Sequence, residues 1–255
     1  MIKIHAEENS RQFFDLMLVS TAELASHLND PTWVIFDCRH DLMDHGKGAQ
    51  LYAESHLVGA HFAPVEAALA GAKNGRNGRH PLPSPEAWAQ TKARLGISPN
   101  TLVVAYDKQG SVYASRLWWM LKSTGHANVR VLDGGLDAWN GPMGSIPRAP
   151  TPCNQAIVPM PYAGLVLVDE VVANLETKKN KIIDARSEDR FHGQNETLDP
   201  VGGHIPGAMN RFFKNNLNAT AFKTPEQLFK EFSESLGTTK ASEVIHQCGS
   251  GVTAC

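Results

Sequence analysis

Short apolar runs alternate along the chain with stretches in helical spacing, and the same order of features occurs twice. Residues 33–39 (WVIFDCR) and 181–186 (KIIDAR) are both apolar runs that end in Asp-x-Arg. Such a run is typical of a buried strand whose polar end emerges into a loop. Upstream of each run stands a residue suited to capping a helix, Ser20 or Asp169, which predicts a helix start there.

Two later features complete the repeat. The turn sequences at 56–60 (HLVGA) and 204–208 (HIPGA) follow the Asp of Asp-x-Arg by 19 and 20 residues. Further apolar runs at 101–107 and 243–248 lead into loops. Because strands alternate with helical stretches, we expect two copies of one α/β unit, each with a mostly parallel sheet flanked by helices.

Composition marks the boundary between the copies. Six prolines lie from Pro142 to Pro161, which is typical of a linker. We predict a first domain at residues 15–142, a linker at 143–162 and a second domain at 163–255. The segment 70–85, rich in Gly, Asn and Pro, is expected to form a long loop over the first domain.

The second copy is shorter than the first. After Asp107 the first copy continues to Trp139 through a predicted helix near 113–122 and a strand near 129–132. At the matching place in the second copy, seven residues follow Cys248. We therefore expect the second domain to be incomplete at its C-terminal end, and the chain to be poorly stable or weakly active.

Bulk composition narrows the class of protein. The chain is 42% hydrophobic and 20% charged with a formal net charge of −2, which gives no reason to expect a nucleic-acid partner. Glu7, Glu8 and Asp15 stand where a signal peptide would be apolar, so we expect a cytoplasmic protein without a membrane anchor. Four cysteines are too few for a disulfide framework. Neither a nucleotide fingerprint nor metal-ligand spacing is evident, so no cofactor and no metal is expected.

The strongest candidate for chemistry is the loop at 248–254 (CGSGVTA), which directly follows a predicted strand. Ligands bind beyond the carboxyl ends of parallel strands, and a glycine-rich bend can turn successive N–H groups towards an anion such as a thiolate. The alternative is a buried cysteine beside a plain turn. The matching loop at 107–114 (DKQGSVYA) has the same shape without the nucleophile, which favours one catalytic half and one scaffold half.

Taken together, these motifs resemble the two-domain rhodanese-type sulfurtransferases, and the Cys248 loop is similar to that of the 3-mercaptopyruvate branch. The resemblance covers nearly the whole chain and implies tandem rhodanese-like domains. It also implies a ping-pong reaction in which Cys248 takes sulfur from 3-mercaptopyruvate, releases pyruvate and holds a persulfide. A small thiol, thioredoxin or cyanide would then accept the sulfur.

The resemblance assigns roles to further residues. Arg190 matches the arginine that binds the substrate carboxylate, and Arg186 either assists it or pairs structurally with Asp184. The remaining loop positions Gly249, Gly251, Val252 and Thr253 are expected to contact substrate. Ser250 is expected to act with His80 and Glu66 in a possible proton relay, although both of the latter could also be surface residues. His56 and His204 are expected to hold turns, and Cys38 is expected to be inert.

Three alternatives remain open at this point. The mercaptopyruvate branch usually has a second arginine shortly after the first, and residues 193–200 contain none, which favours thiosulfate as the donor. A non-enzymatic persulfide carrier would need the same cysteine. A cysteine-dependent phosphatase would need an arginine at the far end of the loop to hold phosphate, where this chain has Ala254.

Overall fold

The computed structural model describes residues 16–255. Glu7, Glu8 and Asp15, and with them the predicted start of the first domain, lie outside this range. Within it, no helix is long and apolar enough to cross a membrane.

The strands are β1 (Leu18–Val19), β2 (Trp33–Asp37), β3 (His56–Leu57), β4 (His61–Phe62), β5 (Leu102–Tyr106), β6 (Val129–Leu132), β7 (Met143–Gly144), β8 (Lys181–Asp184), β9 (Met209–Asn210), β10 (Leu217–Asn218), β11 (Ala221–Phe222) and β12 (Val244–Gln247). The α-helices are α1 (Thr21–Ser26), α2 (Lys47–Glu54), α3 (Pro85–Arg94), α4 (Val112–Ser123), α5 (Gly135–Ala138), α6 (Val168–Thr177), α7 (Glu188–Phe191) and α8 (Pro225–Leu236). A π-helical turn at Val65–Leu69 and 3-10 turns at Phe213–Asn216 and Ala241–Glu243 accompany them.

Each half is built on a parallel sheet. The first has the strand order β1-β6-β5-β2-β4, and every neighbouring pair is parallel. The second has the order β12-β8-β9, also parallel. The second order repeats the arrangement β5-β2-β4 of the first, which confirms the tandem α/β architecture that the sequence predicts.

The two predicted helix starts have different outcomes. Helix α1 begins as expected, because the Ser20 hydroxyl accepts the Glu23 N–H (3.1 Å). The expected cap at Asp169 is wrong: α6 already begins at Val168, so Asp169 lies in its first turn. The Glu170 carboxylate accepts the Leu167 N–H (2.9 Å) and supplies the terminal contact instead.

The Asp-x-Arg sequences form the same structural contact in both halves. Nη2 of Arg39 donates to Asp37 (2.6 Å), and Nη2 of Arg186 donates to Asp184 (2.6 Å). Each guanidinium also donates to a main-chain carbonyl 16 or 17 residues further along the chain, at 2.6 Å. The motif therefore ties the end of a central strand to the segment that precedes the histidine turn.

The two turn histidines act as predicted, in holding the backbone. His56 Nδ1 lies 2.6 Å from the Tyr52 carbonyl oxygen. His204 Nδ1 lies 2.8 Å from the Phe191 carbonyl oxygen, and the His204 ring stacks on the Phe191 ring. In both halves, the contact of a histidine with a main-chain carbonyl holds the turn in place before the next strand.

The main hydrophobic core lies in the first half. Helix α4 buries positions 113, 114, 117, 120 and 121, which is the spacing of one helix face. This face packs with Phe36, Trp88 and Val103 in one cluster. Arg116 is also buried in α4. Because the helix is packed into this core, the position of the Arg116 side chain is fixed.

The predicted linker at 143–162 runs along the first half. Strand β7 pairs antiparallel with β3. The Cys153 N–H donates to the Ala93 carbonyl (2.8 Å), and the Tyr162 ring stacks on Trp119. The segment is therefore anchored by contacts, although the domain boundaries 15–142, 143–162 and 163–255 remain predictions.

In the first half, the loop that corresponds to the Cys248 loop holds an anion of its own. The Asp107 carboxylate accepts four main-chain N–H groups at 2.8–3.0 Å, from Gln109, Ser111, Tyr113 and Ala114. Burial raises the pKa of the Asp107 carboxyl, and these donors oppose that shift. The loop is thus an anion-binding nest filled by the protein itself, which suits a scaffold role.

Replacing this internal anion should destabilise the first half. Asp107→Ala leaves four main-chain donors without their acceptor, and we expect a loss of about 2–5 kcal/mol in the free energy of unfolding. Urea unfolding followed by circular dichroism measures it. The matched control is Asp137→Ala, because Asp137 is exposed and its ion pair within residues 16–255 is with exposed Lys108. Equal stabilities for the two variants would contradict this role of Asp107.

Candidate active site

Cys248 directly follows β12, at the C-terminal end of the second sheet. Because β12 and β8 are parallel, the loops that follow them lie at the same edge. Cys248 is partly exposed, and its thiol makes no hydrogen bond within the described residues. Cys255 donates its thiol to the Gly251 carbonyl (3.2 Å). Cys38 is fully buried, which raises the pKa of its thiol well above the usual value and keeps it protonated. Cys248 is therefore the thiol available for chemistry at this edge of the sheet, whereas Cys153, also free and partly exposed, lies in the linker segment against the first half.

Arg116 of α4 anchors the Cys248 loop to the first half. Its buried guanidinium donates to the carbonyls of Leu69 (3.1 Å), His80 (3.1 Å) and Gly251 (2.7 Å). No carboxylate lies within ion-pair distance of it in residues 16–255. Three main-chain carbonyls accept its hydrogen bonds, and it thereby fixes three separate segments around one cation.

Val252 is a second anchor. Its side chain is 3% exposed and belongs to the main core cluster of the first half. The predicted contact of Val252 with substrate therefore stays a prediction for its main chain, because the side chain is packed in the core. Gly251, with φ +71°, turns the chain between Ser250 and this anchor and gives its carbonyl to Arg116. Gly251 therefore shapes the loop through its backbone.

Two guanidinium groups and one carboxylate surround Gly249. A Cβ placed on Gly249 would lie 2.7 Å from Arg79 Nη2, 3.1 Å from Asp199 Oδ2 and 3.2 Å from Arg190 Nη2. Asp199 pairs with both arginines, with Arg79 through Oδ1 and with Arg190 through Oδ2 (3.0 Å). Arg79 comes from the first half, so both halves contribute cations beside the residue that follows Cys248.

The two predicted arginines of the second half differ in their contacts. Arg190 uses Nε and Nη2 to bind Glu196 and Asp199, and Nη1 has no partner in the described part of the chain. Arg186 forms an ion pair with Asp184. Its Nη1 atom lies 3.7 Å from Glu196 Oε2. Of the two interpretations of Arg186, the structure supports pairing with Asp184 over substrate binding, because Arg39 makes the same contact in the scaffold half.

His80 and Glu66 are brought together as expected, but Ser250 does not join them. His80 Nε2 lies 3.0 Å from Glu66 Oε1, and His80 is 4% exposed. His80 Nδ1 is buried without a hydrogen-bond partner among residues 16–255. The Ser250 side chain makes no hydrogen bond to either residue. The structure thus contains two members of the predicted relay in contact and the third on a neighbouring loop.

A cavity of about 630 Å³ opens between the two halves beside this loop. Thr253 of the Cys248 loop lines it, and Cys248 itself does not. The charged side chains on its wall are mostly cationic: Lys108, Arg186, Arg190 and Lys214, against Asp107 and Asp137. Lys108, Arg186 and Arg190 are paired with carboxylates, so Lys214 is the cation of this wall without an ion pair among the described residues.

A family model for the rhodanese-like domain matches residues 20–142 and 167–255. The chain belongs to the rhodanese-like family. A probable 3-mercaptopyruvate sulfurtransferase of Pseudomonas aeruginosa is 38% identical over 93% of this chain and 86% of that protein. Bovine thiosulfate sulfurtransferase is 35% identical over 80% and 70%. The crystal structure of the 3-mercaptopyruvate sulfurtransferase SseA from Escherichia coli superimposes with a TM-score of 0.79 and 30% identity, covering 93% of this chain and 90% of that one.

These similarities confirm the predicted fold and place the rhodanese-like chain among the sulfurtransferases, which act on a small-molecule sulfur donor and an acceptor. They also set it apart from the phosphatase alternative. Sequence reasoning missed Arg79, Arg116 and Asp199. Arg79 could have been predicted to lie near the site, because it is adjacent to His80 in the sequence. Nothing in the local sequence distinguishes Arg116 from other helix residues.

Burial of His80 should make stability depend on pH. Burial lowers the pKa of His80 to about 4, against the partial opposition of Glu66. The unfolded chain therefore binds a proton more readily than the folded one below about pH 6.5, and stability falls as the pH drops towards 4. We expect this group to contribute up to about 3 kcal/mol at pH 7 that is lost at pH 4.

Urea unfolding of the wild type and His80→Gln at pH 7.0 and pH 4.5 measures this contribution. Glutamine keeps a donor for Glu66 and does not titrate in this range. The wild type should lose more stability than His80→Gln between the two pH values. An equal loss in both proteins would contradict the assignment.

Proposed function

We propose that the chain transfers sulfur from 3-mercaptopyruvate, through a persulfide on Cys248, to a thiol or cyanide, and releases pyruvate. The observation that carries this proposal is a free, partly exposed thiol next to Gly249, around which Arg79 and Arg190 converge. A nucleophile beside two cations suits a donor that carries both a transferable sulfur and a carboxylate.

The reaction has two steps. The Cys248 thiolate attacks the sulfur of 3-mercaptopyruvate and forms an S–S bond while the C–S bond breaks. The electron pair of that bond goes to the substrate carbon as the pyruvate enolate, which takes up a proton and leaves as pyruvate. In the second step an acceptor thiolate or cyanide attacks the outer sulfur, and the S–S electron pair returns to Cys248.

Arg190 and Arg79 are proposed to bind the substrate carboxylate. Arg190 has Nη1 unused within the described chain, and Arg79 Nε is buried without a partner there. Two guanidinium groups held by one aspartate present donors on both sides of a planar carboxylate. On this proposal Arg79 takes the place of the second arginine that residues 193–200 lack.

Ser250, His80 and Glu66 are proposed to handle the proton that the enolate needs. Glu66 orients His80 through Nε2, and His80 Nδ1 is then the atom available to the Ser250 hydroxyl. The carbonyls of His80 and Gly251 bind the same guanidinium, that of Arg116, which keeps the two loops side by side. Gly249 and Thr253 complete the wall around the reacting atoms.

Thiosulfate is the second candidate donor, because named relatives of both branches are similar to this chain. Against it stands the crowding at Gly249. The thiosulfate-specific members that this chain resembles usually carry basic residues inside this loop, where the chain has Gly249 and Ser250. A basic side chain at Gly249 would meet Arg79, Asp199 and Arg190, two of which are cations. We therefore favour mercaptopyruvate. Thioredoxin as acceptor and the cytoplasm as location are further parts of the proposal.

The first test compares three proteins with two donors. Wild type, Cys248→Ser and Cys255→Ser are assayed for pyruvate release from 3-mercaptopyruvate and for thiocyanate formation from thiosulfate and cyanide. Cys248→Ser should lose both activities, whereas Cys255→Ser should retain most of its activity. The donor-treated wild type should gain the mass of one sulfur atom on the peptide that contains Cys248.

The outcomes separate the alternatives. Higher kcat/KM with thiosulfate than with 3-mercaptopyruvate would reverse the order of the donors. A stable persulfide on Cys248 without turnover would favour the carrier. Activity in Cys248→Ser would overturn the proposed nucleophile.

Arg79 should set the affinity for the donor. Arg79→Gln removes one of the two guanidinium groups, and we expect kcat/KM for 3-mercaptopyruvate to fall about ten- to hundredfold, mainly through KM. Arg76→Gln is the matched control, because Arg76 is an exposed arginine of the same loop. A loss of similar size in both variants would indicate a general charge effect, and no loss in Arg79→Gln would contradict the role of Arg79.

A further inference from the structure

Three metal-ligating side chains converge in the first half, next to the Asp37-x-Arg39 loop. One ring nitrogen of His40, one of His45 and a carboxylate oxygen of Glu66 all lie within 4.8 Å of one another. His45 Nδ1 is 3.4 Å from Glu66 Oε1, and the two imidazole rings stack with centroids 5.5 Å apart. Zn²⁺ bound by nitrogen and oxygen at about 2.0–2.2 Å needs donor atoms roughly 3–4 Å apart. A small movement of exposed His45 would bring the set to that spacing.

His40 supplies an independent indication of a ligand. The residue is 4% exposed, and its Nε2 is buried without a hydrogen-bond partner in the described part of the chain. A buried, unpaired ring nitrogen is costly unless something binds it.

The surroundings of the three side chains suit a metal centre. His80 Nε2 lies 3.0 Å from Glu66 Oε1 and orients the carboxylate in the way outer-shell partners usually do. The Tyr113 ring packs edge-on against His40, with centroids 5.2 Å apart. His45 is 56% exposed at its side chain and leaves a path for an ion from solvent. Lys73 Nζ, 3.1 Å from Glu66 Oε2, is a competing cation.

We propose that His40, His45 and Glu66 bind Zn²⁺ as a set of two histidines and one carboxylate. The remaining coordination positions are left to water, and imidazole with carboxylate is a ligand combination that Zn²⁺ accepts. The ligands are separated by 5 and 21 residues, which matches no common ligand spacing and explains why no metal was expected from the sequence pattern. This inference does not depend on the sulfur-transfer proposal, because its readout is binding.

The test uses the reduced full chain with Co²⁺ as a spectroscopic probe and Zn²⁺ in competition with a chromophoric chelator. We expect one Co²⁺ per chain, with visible ligand-field bands and without a thiolate charge-transfer band, and displacement of Co²⁺ by Zn²⁺. His45→Ala should weaken binding by about tenfold or more. Lys73→Gln should tighten it, because the competing cation at Glu66 is removed.

Two control variants separate this site from other metal-binding groups. His192→Ala removes an exposed histidine outside the cluster and should leave the affinity unchanged. Cys248→Ser should also bind Co²⁺ as the wild type does. Equal affinities of wild type and His45→Ala, a thiolate charge-transfer band, or loss of binding in Cys248→Ser would each overturn the proposal. An unchanged affinity in Lys73→Gln would exclude Glu66 as a ligand.

Discussion

The arrangement of the site depends on one buried cation, Arg116, which has no carboxylate partner among residues 16–255. Arg116 lies in the core face of α4, and its charge is satisfied by carbonyl oxygens from three separate segments. A buried guanidinium must find such acceptors or the fold loses several kcal/mol. The loop after Leu69, the loop at His80 and the Cys248 loop therefore have to meet where Arg116 is. Val252 adds apolar packing at the same junction, so the catalytic loop of one half is completed by the core of the other.

Local sequence pattern predicted the strands and the repeat, and it indicated Cys248 as the candidate nucleophile, because each of these depends on short-range physics. An apolar run ending in Asp-x-Arg is a strand with a polar end wherever it lies, and a Cys-Gly loop after such a strand lies at the active edge. Val252 could not be assigned in this way. As an apolar residue in a glycine loop it looked available to substrate, and only the tertiary contact with the first half reveals its burial.

The other site residues could not be predicted because their partners lie far away in the sequence. Arg79 and Asp199 are 120 residues apart, and no periodicity relates them. The relay pair was expected from family resemblance, and the 3.0 Å contact of His80 with Glu66 agrees with it, whereas the Ser250 hydroxyl stands apart. Asp169 illustrates a smaller error: several acidic residues begin α6, and the choice of cap depended on which carboxylate reached the first free N–H.

The shared aspartate between Arg79 and Arg190 has a consequence for ligand exchange. Asp199 binds Arg79 and Arg190 through some of their donors and leaves Arg190 Nη1 and Arg79 Nε without partners in the described chain. On our proposal, a substrate carboxylate binds these remaining donors beside a carboxylate that already offsets part of the positive charge, which lowers the net attraction for it. Weak attraction suits a site that pyruvate must vacate before the sulfur acceptor arrives. The same aspartate joins an arginine of the first half to one of the second, so one carboxylate both moderates the charge of the site and links the halves.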